Sequence, residues 1–191
     1  MLHPVQNPWG LEMSMNLART TTGALSAALL LAGCVDSAAP LMTGARPIFG
    51  PDVKVHLYVL GENYATGPDV GIYRWDGSEY RAVNKPSFEV AAFTAVPLAG
   101  NDLIIQSRST RPQIKGVEYA IARKLADAVY IVSALDEAEA DAATRAKLCA
   151  AGGSDSCRVT TQEGLLAFAR AAAAKPELKG SLAVLVGENK P

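Results

Sequence analysis

The chain has 191 residues, 49% of them hydrophobic and 19% charged, with a formal net charge of -1. That composition can bury enough apolar surface to fold, which excludes a disordered stalk, and its charge balance excludes bulk nucleic-acid binding, which needs a concentrated excess of Lys and Arg. From Cys34 onward the length suits one domain with a real core better than two.

The first feature in chain order is the apolar run from Ala24 to Ala32. It is far shorter than the roughly 20 residues needed to span a bilayer and reads as the hydrophobic region of a signal peptide. Arg19 is the only Lys or Arg ahead of it and Glu12 lies upstream, so a start at Met13 or Met15 would give a cleaner, positively charged leader. The run ends in Leu31-Ala32-Gly33-Cys34, small residues followed by a thiol.

This tetrapeptide resembles the lipobox of bacterial lipoproteins, a resemblance that covers about the first fifth of the chain. It implies that a diacylglyceryl group is attached to the thiol of Cys34, that residues 1–33 are removed as signal peptide, and that the new N-terminus is acylated, palmitate being a typical acyl group. Two acyl chains hold a protein stably at a membrane, since each buried methylene contributes about 0.8 kcal/mol. In such lipoproteins of Gram-negative bacteria an aspartate directly after the cysteine favours the inner membrane. Here Val35 takes that position and Asp36 comes one later, which favours the outer membrane.

Residues 34–50, rich in Ala, Pro, Gly and Ser, read as the lipidated N-terminus and a short linker, with a single globular domain over 51–191. Val53 to Leu60 alternates and is β-branched, which predicts the first strand. A loop follows from Gly61 to Gly71. Ile72 to Trp75 and Glu79 to Val83 flank Asp76-Gly77, a type I′ hairpin signal. Phe88 to Val96 pairs with Leu103 to Ser107 across Pro97 to Asn101, and Val117 to Arg123 pairs with Ala128 to Ser133.

After Leu135 the period changes. Asp136 can cap a helix running to about Ala150, with Ala138, Ala142, Ala146 and Cys149 on its buried face. A second helix starts at Thr160, whose partner Glu163 completes a capping box, and buries Leu165, Phe168, Ala169 and Ala172 before Lys175-Pro176. Ser181 to Gly187 is apolar enough to return inside a sheet. The expected fold class is α+β: a largely antiparallel β-sheet built from hairpins, two α-helices covering one face, and a C-terminal returning strand.

With Cys34 assigned to lipid, Cys149 and Cys157 remain as a pair. In an oxidising compartment they suggest a disulfide, which would stabilise the fold by roughly 2.5 kcal/mol on the chain-entropy model, against the alternative of two reduced buried thiols. No zinc ligand set is formed with the distant His56, and the acidic run Asp136, Glu137, Glu139 and Asp141 lacks the spacing of an EF-hand loop, so neither metal nor cofactor is expected. His56 sits inside an alternating strand with no nucleophile motif nearby.

Arg108, Arg111 and Lys115 collect three positive charges without an acid in one connection, a possible contact surface for anionic headgroups, a cell-wall polymer or an acidic envelope protein. Tyr73 and Trp75 could form an aromatic platform, but cross-strand packing needs no ligand and accounts for them better. The expected role is therefore a periplasm-facing binding or scaffolding module held to the bacterial cell membrane by its acyl anchor. The alternative is an envelope hydrolase or wall-modifying enzyme working with scattered carboxylates such as Glu62, Asp69 and Glu118.

Overall fold

The computed structural model describes residues 35–59, 68–112, 114–136, 142–149, 157–178 and 180–187. In chain order the elements are β1 (Val35–Ser37), β2 (Asp52–Val59), β3 (Asp69–Trp75), β4 (Tyr80–Ala82), β5 (Val90–Ala99), β6 (Asp102–Ser109), β7 (Val117–Ala126), β8 (Val129–Ala134), α1 (Ala142–Leu148), β9 (Cys157–Arg158), α2 (Gln162–Ala173) and β10 (Ser181–Gly187). The structure is mostly antiparallel β with two helices. Its sheet closes on itself as an eight-stranded barrel.

The barrel is a meander. Strands β2 to β8 each pair with the next, and β10 enters antiparallel between β2 and β8, joining the two ends. Closure satisfies both backbone edges, which an open sheet leaves exposed. Alternation then has a definite meaning. Val53, Val55 and Leu57 on β2 point inward, while Lys54, His56 and Tyr58 between them are more exposed.

The hairpin at Asp76-Gly77 forms with Trp75 opposite Tyr80, so its loop has four residues and is not the expected two-residue type I′ turn. Gly77 has φ +103 and Asp76 is not in the positive region. The carboxylate of Asp76 organises the loop instead, its Oδ1 accepting from the backbone N–H of Ser78 at 2.9 Å and of Glu79 at 3.0 Å.

Two apolar cores result, one inside the barrel and one outside it. The interior is aromatic at one end, where Phe49 meets Tyr80, Phe93 and Tyr130 at ring separations of 5.9, 6.4 and 5.7 Å. The phenol of Tyr80 pins this stopper, accepting from Phe49 N at 2.9 Å and donating to Gly50 O at 2.8 Å. The outer core lies where α2 sets Leu165, Phe168 and Ala169 among Ile104 of β6 and Tyr119 and Ile121 of β7. Strand β7 is therefore buried on both faces over its first six residues.

Three expectations change. Residues 35–50 are not a free linker: β1 pairs with β7 and with β9, and Val35 and Met42 are buried. Gln106 holds this segment, its Oε1 accepting from Leu41 N and Met42 N at 3.0 Å each. Helix α2 is capped by Thr161, not Thr160, with its hydroxyl accepting from Gly164 N at 3.1 Å, so Glu163 is out of register for the box. Its buried stripe is the expected one. Described α1 residues are not buried, although Leu148 and Cys149 pack against the outer core, so α2 alone lays a full face on the sheet. Ala138, Glu137, Glu139 and Asp141 lie outside the described residues.

Candidate functional site

The pleat decides what the barrel encloses. Inward positions bound an apolar cavity of about 90 Å³, with Val55 and Leu57 of β2, Phe93 of β5, Ala120 of β7, Val132 of β8 and Ala183 of β10 among its walls. Eight strands leave an interior that side chains fill or that holds one small ligand. Phe49 closes one end of this cavity.

Toward the opposite end lie two polar side chains that the apolar wall does not explain. Ser181, the first residue of β10, is fully buried and lines the cavity, and Glu118, near the start of β7, is 5% exposed. Among the described residues, Glu118 Oε2 and Ser181 Oγ are the buried side-chain polar atoms without a hydrogen-bond partner. Buried polar groups are nearly always partnered, so each orphan marks a cost or a use. Strands β7 and β10 both run antiparallel to β8, so both residues belong to the same end of the barrel.

Glu118 shares the inward face of β7 with Ala120 and Ala122, both of which line the cavity, and its cross-strand partner Ser107 lines it too. Burial pushes its carboxyl up from 4.5 to about 7, opposed by Arg111 and reinforced by Asp36 and Glu89. The neighbouring charges are already engaged: Arg111 with Glu89, and Arg158 with Asp36 at 2.7 Å.

The connection singled out for its positive charge is less cationic in three dimensions. Arg108 pairs with Glu79, which also takes Arg81 at 2.6 Å, and Arg111 pairs with Glu89. Arg108 and Lys115 come together with Arg81 around a shallow surface pocket, while Arg111 does not line it. The acids that balance this region come from the β3–β4 loop and the approach to β5, far enough away in sequence to escape a local reading of charge.

Cys149 and Cys157 are joined as a disulfide, with Cα atoms 4.8 Å apart. Cys34 and Glu62 lie outside the described residues. His56 faces outward on β2 between Val70 and Val184, which offer no nucleophile or proton partner. Asp69 sits on β3 and Glu118 on β7, four strands apart around the barrel. Tyr73 is fully buried inside the barrel and Trp75 packs edge-on against Tyr80 at 5.1 Å, which makes them core and not a platform. Among the described residues no group of three His, Cys, Asp or Glu could hold a metal ion. No helix among them is long and apolar enough to cross a membrane.

Glu118 stands in the sequence only as one of several scattered carboxylates, and Ser181 is not singled out at all, because a glutamate within a strand reads as a solvent position. Only closure of the barrel turns that position inward. The chain matches no protein-family model, no curated protein and no solved structure.

Proposed function

We propose that this protein is a bacterial lipoprotein, cut before Cys34 and anchored through acyl chains on that residue, whose barrel faces the periplasm and acts as a binding or scaffolding module. The observation that carries the reading is the lipobox-like Leu31-Ala32-Gly33-Cys34 set one residue ahead of β1. Cleavage there would leave every described strand intact. The disulfide between Cys149 and Cys157 suits an oxidising compartment.

The polarity of the barrel supports a separate anchor. Its interior is apolar, and its outer positions carry Lys54, Arg74, Arg81 and Arg108, the reverse of a barrel embedded in lipid. With residues 35–50 docked on the barrel, the anchored domain would ride close to the bilayer, without a spacer. The partners of the module are the membrane lipid and an envelope protein or wall component, with the outer membrane preferred to the inner.

Intact mass of the protein extracted from bacterial membranes, compared with a Cys34→Ala variant, tests this. A species beginning at Cys34 with added acyl mass, absent from the variant, is expected. A full-length chain without lipid in the soluble fraction would overturn the reading.

A further inference from the structure

An apolar cavity needs no ligand, but two orphaned polar atoms toward one end of the barrel, Ser181 on the cavity wall and Glu118 on the same face of β7 as the lining residues Ala120 and Ala122, call for one. Glu118 Oε2 is a buried acceptor with no donor, on a residue 5% exposed, and Ser181 Oγ is a buried hydroxyl with no partner, on a residue 0% exposed. Each is costly if left unpaired in the working protein. Both face the end of the barrel away from the Phe49 stopper, and the wall between is hydrocarbon and aromatic carbon.

We infer that the barrel binds a short unbranched alkyl chain ending in a hydroxyl or an ammonium group, the chain lying in the cavity toward Phe49 and the head donating to Glu118 with Ser181 beside it. The volume of about 90 Å³ accommodates about three groups of water size, so three carbons of a butyl chain lie in the cavity and the carbon bearing the head leads out toward Glu118. Anionic heads are disfavoured. Glu118 itself is acidic, Asp36 and Glu89 lie close enough to reinforce its proton, and the two nearby arginines are held by those same acids. This deepens the binding-module reading by naming a ligand class, and it does not depend on the anchor.

The test uses the full chain carrying Cys34→Ala, so that lipid attachment does not enter, with methyl groups of Val55, Leu57, Val132, Ala183 and Leu185 followed by NMR. Titration with 1-butanol and with n-butylamine is expected to shift these methyls saturably, with contacts from the ligand chain to the lumen, and butyrate is expected to bind at least tenfold more weakly. Glu118→Gln should weaken the amine about tenfold and the alcohol less, Ser181→Ala should weaken both, and Ala183→Leu should abolish binding by filling the space. If Ala183→Leu fails to fold, the wild-type shifts and ligand contacts still decide. The proposal falls if no probe saturates the lumen methyls, if butyrate binds as well as butylamine, or if Glu118→Gln leaves the amine unaffected. Loss of the acyl mass with these shifts retained would remove only the anchor.

Discussion

Arg123 forks onto Asp102 across the pairing of β6 with β7, Nε to Oδ1 at 2.8 Å and Nη2 to Oδ2 at 3.1 Å. The same guanidinium reaches the C-terminal end of α2, donating to Ala173 O at 2.6 Å and Lys175 O at 2.9 Å. One side chain thus ties two barrel strands to the helix that covers them, and a cation at a helix C-terminus also suits its dipole.

Arg123→Lys is accordingly expected to behave as a loss and not a conservative change, because an ammonium cannot fork onto Asp102 and reach two carbonyls at once. A destabilisation of about 1–3 kcal/mol is expected for Arg123→Ala, with Arg123→Lys recovering less than half of it. Chemical denaturation of the three proteins side by side checks this. Full recovery by lysine would show that charge alone matters here.

Glu118 makes stability depend on pH with a definite sign. Burial raises its folded carboxyl from 4.5 to about 7, so the folded state binds this proton more tightly than the unfolded state. Its contribution is fully present below about pH 4.5 and is lost as pH rises toward about 7. The facing charges are Arg111, Asp36 and Glu89, with Arg111 paired to Glu89 and Asp36 to Arg158. Glu118→Gln should therefore flatten the fall between about pH 5 and 7 and raise stability above it by at most about 3 kcal/mol. The difference in melting temperature between the two proteins across that range is the measurement, and parallel profiles would contradict the assignment.

Gln106 holds Leu41 and Met42 against the barrel. Its Oε1 takes the N–H groups of Leu41 and Met42, and its Nε2 reaches Met42 O at 3.4 Å and Thr94 Oγ1 at 3.3 Å. Gln106→Leu keeps the bulk and leaves Met42 N without an acceptor, while Leu41 N keeps the Tyr119 hydroxyl at 3.2 Å, at a cost of roughly 1–3 kcal/mol. Amide exchange at Leu41 and Met42 should accelerate far more than exchange in β2 or β3. Uniform acceleration throughout would show that the segment is not separately held.

Gly180 precedes the closing strand, and a Cβ there would lie 1.9 Å from Val132 O and 2.6 Å from Val132 C. Backbone atoms of a paired strand cannot step aside, so Gly180→Ala should disturb the entry of β10 between β2 and β8. A loss of more than about 3 kcal/mol, or failure to accumulate soluble protein, is expected. A near-native melting curve would mean that β10 tolerates a shifted start.

Much of the local structure was legible in the residues. Period-2 alternation located β2, turn residues located the hairpins, a short apolar run located β10, and the 3.6-residue stripe of Leu165, Phe168, Ala169 and Ala172 located the buried face of α2, because these signals are local in the chain. The pair of cysteines that closes a short loop was readable for the same local reason. What only the tertiary structure decided is everything that depends on partners distant in sequence: the insertion of β10 between β2 and β8, the pairing of β1 with β7, the acids that balance Arg108 and Arg111, and the burial of Glu118. An apolar strand reads alike whether its edges are free or paired, and a glutamate on it reads as solvated until closure gives that face an inside. Alternation sets which side chains share a face, while the nonlocal hydrogen bonds that close the sheet determine which face meets water.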